Sequence, residues 1–199
     1  MSTSSGRPTP AQTSRDRILD AAIRRFARQG YGSTPIRQIA QDAQVATGLI
    51  HYHFQDKEGL LTALFQRSLA QVQASLDEAD AASDLDPLQG LDQLVRTAFA
   101  SVARDQDFWR LSYQLRMQAD AVEALGGALQ LWAEETRERI EVLLRASRHP
   151  NPSPAAHVLF AAIDGAAQHF VLDPDNYPLD PVARSLVAHF AAPGAAAGR

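Results

Sequence analysis

Four pairs of an oxygen-bearing residue and a following proline stand at the start of apolar segments with helical spacing. The pairs are Thr34-Pro35, Asp86-Pro87, Ser153-Pro154 and Asp180-Pro181. The side-chain oxygen can accept a hydrogen bond from a free backbone N–H of a first helical turn, and Pro suits that turn because it has no N–H to satisfy. The residue before Pro is also disfavoured in the α region, as a helix N-cap must be. The four pairs therefore predict four helix starts.

Composition extends this prediction to the whole chain. Ala occurs 35 times and Leu 22 times, against 10 Val, 7 Ile and 8 Thr. Helix formers therefore outnumber β-branched residues, and apolar residues such as Ile18, Ala22 and Phe26 recur at helical spacing. We predict an all-α fold of about nine helices. Their expected ranges are 14–29, 35–43, 47–54, 57–82, 87–104, 106–118, 121–148, 154–171 and 180–191.

Several classes of protein are disfavoured by what the sequence lacks. It has no cysteine, which excludes disulfide frameworks, thiolate nucleophiles and zinc fingers. Residues 1–17 lack the apolar segment of a signal peptide, and no later run approaches the roughly 18 apolar residues of a membrane span. The sequence predicts a cytoplasmic protein without a membrane partner.

Charge is divided unevenly along the chain. Residues 1–57 hold eight basic and four acidic side chains, whereas residues 58–199 hold 11 basic and 19 acidic ones. A basic head on an acidic body favours a polyanionic partner at one end. Arginines that merely solvate a helix face would give the same asymmetry, so charge alone leaves both interpretations open.

The basic head has the organisation of a helix-turn-helix unit. Three predicted helices fall within some 40 residues, and a tight connection joins the last two, so the third helix can enter a DNA major groove. Val45, Ile50 and Phe54 can form its inward stripe. Its other residues are small, polar or aromatic groups suited to a groove: Thr47, Gly48, Leu49, His51, Tyr52 and His53.

Residues 14–64 resemble the DNA-binding domain of the TetR family of bacterial transcription regulators. The resemblance lies in RDRILDAAIRRFARQGYGSTPIRQIAQDAQVATGLIHYHFQDKEGLL, and it covers about a quarter of the chain. It implies a DNA-binding domain over 14–57 and a helical effector-binding and dimerisation domain over 58–192. Residues 1–13 and 193–199 are expected to be disordered tails. The implied function is a repressor that binds a palindromic operator as a homodimer and is released by a small-molecule effector.

The resemblance also assigns roles to residues of the head. Thr47 and Leu49 should face base edges, and Gly48 should let the helix backbone sit close to the DNA. Tyr52, His53 and Lys57 should meet phosphates, while Thr34 and Arg37 should touch the DNA backbone beside the groove. His51 stands where the family commonly has Tyr, which alters a base or phosphate contact.

Two further positions depart from the family's pattern. Gln44 replaces a Gly that allows the turn a left-handed backbone, at a cost of about 1 kcal/mol. Ala46 replaces the Ser that usually caps the recognition helix, which removes about 1 kcal/mol of capping.

The last two predicted helices carry stripes suited to pairing two chains. One stripe is mostly small and the other bulkier, so that two helices from each of two chains can form a four-helix bundle. The alternative is that both stripes close a monomeric core. The candidate interface residues are Val158, Ala162, Gly165, Ala166, His169, Val182, Leu186 and Phe190, with Leu179 and Ala183 on the bulkier stripe.

A cluster of aromatic and basic residues in the body is the candidate effector pocket. Trp109, Tyr113 and Arg116 fall at i, i+4 and i+7, so one helix face offers aromatic walls and a cation for an apolar molecule with a polar or anionic group. Each of these residues could equally belong to an ordinary core. The candidate pocket comprises Phe99, Trp109, Tyr113, Arg116, Met117 and Trp132.

Two other functions compete with this one. A helical metal-dependent enzyme would use His157, Asp164 and His169, but His169 is rotated away from the other two by helical arithmetic. A DNA-organising protein would use the same head without sequence choice or ligand. We predict a non-enzymatic regulator with no cofactor and no metal.

Overall fold

The described residues of the computed structural model are 13–81, 86–116, 118, 125 and 127–191, and within them every regular element is an α-helix. The all-α prediction is therefore confirmed. The helices are α1 Ser14–Gln29, α2 Ile36–Asp42, α3 Thr47–Phe54, α4 Lys57–Ala81, α5 Pro87–Arg104, α6 Gln106–Leu115, α7 Ala128–Ala146, α8 Pro152–Leu172 and α9 Leu179–Ala191. The predicted tails, apart from Thr13, lie outside these residues.

The first three helices form a small unit around the predicted stripe of α1. Ile18, Ala22 and Phe26 are fully buried, and Ile39 of α2 and Ile50 of α3 pack into the same core. α1 begins at a side-chain cap, because the Thr13 hydroxyl accepts from the Asp16 N–H at 3.1 Å. This unit continues directly into α4, whose buried leucines join its core to that of the body.

Only one of the four predicted capping pairs acts as predicted. The Asp86 carboxylate accepts from the N–H groups of Leu88 and Gln89, and Pro87 is the first residue of α5. At the other pairs the helix starts nearby but the predicted cap is absent. α2 begins after Pro35 without a side-chain cap, α8 begins two residues before Pro154, and Asp180 lies inside the first turn of α9. The prolines therefore predicted where the helices start more reliably than the residues before them predicted side-chain caps.

The predicted helix over 121–148 is shorter than expected. Gly127 has φ +78°, a left-handed conformation that interrupts helical geometry, and α7 begins at Ala128. Most of residues 119–126 lie outside the described part of the chain. α6 also ends earlier than predicted, at Leu115 rather than residue 118.

The body is a bundle in which α8 is the central helix. It packs against α5, α6, α7 and α9, with Leu159, Ala167 and Phe170 buried among them. By length and composition alone, α8 is long and apolar enough to cross a membrane, with a mean hydropathy of 1.3 over its most apolar stretch. Its inner face accounts for part of that apolar character, and only 33% of the stretch is buried within this chain.

Candidate functional site

α3 presents one face to the core and the other to solvent. Ile50 and Phe54 are buried, and Val45 packs against them, so the predicted inward stripe is confirmed. On the other side Thr47, Gly48 and His51 are exposed, and Tyr52 projects with 80% of its surface accessible. Leu49 and His53 lie half-buried at the edges of this face. The outer face of α3 is therefore free to meet another molecule.

The turn before α3 has the left-handed backbone and the missing side-chain cap that were expected at Gln44 and Ala46. Gln44 adopts φ +55°, in the left-handed region where the family's Gly would be unstrained. Ala46 is the N-cap and provides no side-chain hydrogen bond. The turn is held instead by its backbone, since the Val45 N–H donates to the Ala40 carbonyl at 3.0 Å.

The connection from α3 to α4 is a strained single-residue turn that the sequence analysis missed. Gln55 has φ +67° and ψ −60°, and the Asp56 N–H donates across it to the Phe54 carbonyl at 2.8 Å. The Asp56 carboxylate then caps α4 by accepting from the Gly59 N–H at 2.7 Å. A Cβ at Gly59 would lie 2.2 Å from the Phe54 carbonyl oxygen, so only Gly permits this approach. The turn fixes α3 rigidly on the start of α4.

The C-terminal end of α3 is braced by the start of α1. The Ser14 hydroxyl lies 3.2 Å from Nε2 of His53, and the Arg15 guanidinium sits 5.3 Å from the centre of the Phe54 ring. His51 Nδ1 lies 2.8 Å from the Gln55 carbonyl oxygen, which can only accept, so Nδ1 donates this bond. Both histidines of α3 thus have one ring nitrogen in an internal contact.

Lys57 ties the start of α4 to the turn after α1. Its ammonium donates to the Gly32 carbonyl at 3.2 Å and lies 4.6 Å from the centre of the Tyr31 ring. Burial lowers the pKa of Lys57 below its usual value. These contacts hold the cation against the turn after α1.

Thr34 and Arg37 have opposite environments. Thr34 is 1% exposed, and its hydroxyl donates to the Gly30 carbonyl at 2.9 Å. The prediction that its side chain touches DNA is therefore wrong, because the hydroxyl is buried and engaged in the turn after α1. Arg37 is exposed on α2, as a contact at the flank of a groove requires.

The body contains a small, partly enclosed chamber with an apolar lining. Its volume is about 30 Å³, enough to hold a water molecule but not a drug-sized ligand without rearrangement. Trp109, Tyr113 and Trp132 belong to its wall, as the sequence predicted for the pocket residues. The remaining lining residues are Val72, Leu76, Leu94, Ala98, Val102, Thr136, Phe160, Ile163, Asp164 and Ala167.

An ion pair stands at the edge of the chamber. The Arg116 guanidinium donates to both Asp164 carboxylate oxygens, at 2.6 and 3.0 Å, and stacks 4.7 Å from the centre of the Tyr113 ring. The Tyr113 hydroxyl donates to the Asp164 backbone carbonyl at 3.2 Å. Burial, together with the negative charge of Asp164, raises the pKa of Tyr113 well above its usual value.

Arg116 also borders an open vestibule of about 250 Å³. Trp132 and Phe160 line both the chamber and the vestibule, so their side chains form the partition between them. Of the other predicted pocket residues, Phe99 is buried in the general core and does not line either space, and Met117 lies outside the described residues. Sequence reasoning missed Phe160 as a wall residue, although it falls one helical turn before Asp164.

The predicted dimer residues divide between core and surface. Val158 and His169 are exposed, whereas Ala162, Gly165, Val182 and Leu186 are half-buried. Ala166 and Phe190 are buried within this chain, so they are core residues here rather than part of a free face. The free face of α8 is shifted by a fraction of a turn from the prediction. It consists of Val158, Ala161, Gly165, Gln168, His169 and Leu172.

The residues of the metal-enzyme alternative are not brought together. Asp164 is paired with Arg116, and His157 Nδ1 contacts the Ser153 carbonyl at 2.9 Å. His169 stacks on Tyr177 with 6.0 Å between ring centres. Within the described ranges no group of three His, Asp or Glu side chains is placed to hold a metal ion.

An exposed helix on a basic three-helix head, joined to a helical body with an internal chamber, defines a helix-turn-helix DNA-binding regulator. Residues 18–64 match the family described as bacterial regulatory proteins, tetR family, and residues 86–193 match the tetracyclin repressor-like C-terminal domain. The chain belongs to the TetR family and is a DNA-binding transcriptional regulator, as its resemblance predicted.

Named relatives agree with this assignment over most of the chain. The transcriptional regulator AcrR of Shigella flexneri is 27% identical over 89% of this chain and 87% of its own length. TtgR of Pseudomonas putida is 28% identical, covering 85% of each chain.

Solved structures show the same fold. A TetR-like regulator from Rhodococcus superposes with a TM-score of 0.78 at 22% identity, covering 92% of this chain and 96% of its own. FadR from Bacillus subtilis, solved in complex with stearoyl-CoA, gives a TM-score of 0.74 at 20% identity, covering 89% and 98%.

Proposed function

We propose that this regulator is a repressor that binds a palindromic operator as a homodimer and leaves it when a small molecule enters the body. The observation that carries the proposal is the outer face of α3, which combines exposed groups with a rigid mounting on α4. In this proposal residues 14–57 are the DNA-binding domain, and residues 58–192 bind the effector and pair the two chains.

The proposed contacts to DNA are those that the family resemblance implies, at residues that the structure leaves exposed or half-buried. Thr47 and Leu49 face base edges, and Tyr52, His53, Lys57 and Arg37 meet phosphates. A Cβ added at Gly48 would have no described atom within 4 Å, so packing within the chain does not require Gly there. We assign Gly48 to close approach of the DNA instead.

Pairing of two chains uses the free face of α8. A symmetric operator requires two DNA-binding heads spaced by one helical turn of DNA or a multiple of it. A single head has a small core and contacts only a few base pairs. Val158 and Leu172 are 59% and 75% exposed at the two ends of that face, with small residues between them. Large apolar groups flanking small ones permit close helix packing across a two-fold axis.

The effector acts in the chamber, and α6 carries its signal to the head. Trp109 and Tyr113 of α6 line the chamber, while the Gln114 side chain of the same helix donates to the Ala27 carbonyl of α1 at 3.3 Å. α4 provides a second connection, since Arg67 pairs with Asp20 of α1 at 2.7 Å. A ligand that repacks α6 therefore changes the packing of α1, and with it the position of the DNA-binding head. Weakening DNA binding a hundredfold takes about 2.7 kcal/mol of coupling.

The regulator acts in the cytoplasm and is not an enzyme in this proposal. Its family and relatives are regulators, and the chamber wall combines apolar side chains with an ion pair that is already satisfied. A DNA-organising role without ligand control is the less favoured alternative, since such a role has no use for a chamber with aromatic walls.

The test begins by selecting DNA fragments from the source genome with the full-length protein. Fluorescence anisotropy then compares a selected fragment with a shuffled duplex across salt concentrations. An operator reader keeps a preference of about 10³-fold or more. Equal affinity for both duplexes contradicts the proposal, as does a monomer in sedimentation of the complex. Deleting the gene should raise transcription beside the selected site.

A further inference from the structure

Two residues of the chamber wall carry buried hydrogen-bond donors that have no acceptor in the described part of the chain. Trp109 and Trp132 are the two tryptophans of the chain, and their ring centres lie 5.4 Å apart. The Nε1 atom of each is buried and has no hydrogen-bond partner among the described residues. An indole N–H can only donate, and an unpaired buried donor is unfavourable. Such a pair favours a ligand that brings an acceptor.

The charged groups around the chamber also favour a ligand that accepts hydrogen bonds over one that carries a positive charge. The Asp164 carboxylate accepts two hydrogen bonds from Arg116, which balances its charge and weakens its attraction for a ligand cation. Guanidinium groups also approach two of the aromatic walls, Arg116 at Tyr113 and Arg137 at 5.8 Å from the centre of the Phe160 ring. Among the described residues, the only charged groups lining the chamber and the vestibule are Asp164 and Arg116, which pair with each other and leave no unpaired carboxylate for a ligand cation.

Resting on the proposed function, we infer that the effector is an apolar molecule whose polar end carries acceptor oxygens, preferably a carboxylate, and no positive charge. Its apolar part enters by separating Trp132 from Phe160, whose ring centres lie 6.0 Å apart. That movement joins the chamber to the vestibule and places the polar end among the indole N–H groups and Arg116. The ligand thus supplies the acceptor that the two tryptophans lack.

The experiment titrates three probes of equal chain length, decanoate, methyl decanoate and decylammonium, into the full-length protein. Intrinsic tryptophan fluorescence reports binding at this site directly, because both tryptophans line it. Charge-assisted hydrogen bonds to the carboxylate should make decanoate bind at least about tenfold more tightly than decylammonium. Methyl decanoate, which accepts but is neutral, should lie between them.

Two variants separate the donors from the carboxylate. Trp109→Phe removes one N–H and keeps an aromatic wall, so decanoate affinity should fall about tenfold while decylammonium affinity does not change. Asp164→Asn should keep or strengthen decanoate binding because it releases Arg116. Loss of decylammonium binding in Asp164→Asn, after tight binding to the parent protein, would show a cation site and overturn the inference.

Other outcomes are equally decisive. Equal or tighter binding of decylammonium overturns the inference, and so does unchanged tryptophan fluorescence with all three probes. Operator binding is measured in the same samples, which keeps the two proposals distinguishable. If decanoate binds without releasing DNA, the ligand class is supported and effector control is contradicted. If only decylammonium releases DNA, effector control is supported and the ligand class is contradicted.

Discussion

Arg116, the C-cap of α6, and Asp164 of α8 form an ion pair with two hydrogen bonds, at nitrogen–oxygen distances of 2.6 and 3.0 Å. Their side chains are 32% and 24% exposed, so the pair is partly shielded from water. It connects a helix that contacts the DNA-binding head to the helix proposed to pair two chains. Its energetics can therefore be measured separately from DNA binding.

Breaking this pair from one side should destabilise the fold more than removing both charges. Arg116→Gln or Asp164→Asn alone leaves one half-buried charge without its partner, which should lower the free energy of unfolding by about 1–2 kcal/mol after allowance for solvent screening. The double variant should lose less than the sum of the two. Urea unfolding of all four proteins measures the coupling, and additive losses would show that the pair contributes no specific interaction.

Gly48→Ala should separate folding from DNA binding. Nothing described lies within 4 Å of a Cβ at this position, and Ala is a better helix former than Gly by up to about 1 kcal/mol. The variant should be at least as stable as the parent by thermal unfolding, yet bind operator at least about tenfold more weakly because the added methyl group holds α3 away from the DNA. Unchanged affinity would remove Gly48 from the interface.

Gly59→Ala serves as the matched control for that glycine substitution. Here the added Cβ meets the Phe54 carbonyl oxygen at 2.2 Å, so backbone must move. We expect a loss of about 1–3 kcal/mol in stability, the range for overpacking. A stable Gly59→Ala protein would show that the turn between α3 and α4 is softer than its geometry indicates.

Lys57→Ala and Thr47→Ala should affect DNA binding in different ways. Removing the Lys57 charge should weaken binding to every duplex and reduce the salt slope by about one per subunit. Thr47→Ala should leave the salt slope unchanged and relax discrimination at one base position in each half-site, by about 1–3 kcal/mol. Anisotropy titrations on single-base operator variants distinguish the two, and an unaltered slope in Lys57→Ala would refute its phosphate contact.

Gln44→Gly should stabilise the head. Gln44 stands at φ +55°, and relieving the left-handed strain of a side chain is worth about 1 kcal/mol. Part of that gain is offset because Gly is more flexible in the unfolded chain. The midpoint of urea unfolding should therefore rise modestly with an unchanged slope, while a fall would mean that the Gln44 side chain contributes contacts of its own.

Alkaline pH should weaken the body through Tyr113. Burial, together with the Asp164 charge, raises the pKa of this phenol above the usual value of about 10. Because the folded pKa is the higher one, stability is full below the unfolded pKa and declines as pH rises from there toward the folded pKa. Unfolding between neutral and strongly alkaline pH should show a steeper decline in the parent protein than in Tyr113→Phe, and parallel declines would contradict the shifted pKa.

Much of the DNA-binding head could be predicted from residues close together in sequence. The period of α1, the inward stripe of Val45, Ile50 and Phe54, and the family's spaced motif all depend on short-range patterns, and each pattern was matched in the fold. The resemblance also implied a left-handed backbone at Gln44, because the family has Gly at this position, and the structure confirms it. Thr34 was misplaced because burial of a hydroxyl depends on how the turn after α1 folds back.

The chamber and the dimer face depended on tertiary structure. Helical spacing could place Trp109, Tyr113 and Arg116 on one face of α6, but it could not bring Phe160 and Asp164 against them, since those residues lie on α8 and meet α6 only when the bundle packs. The same packing buries Ala166 and Phe190 and leaves Val158 and Leu172 outside. Sequence periodicity determines which residues share a face of a helix, whereas the neighbours of that face are set by long-range packing.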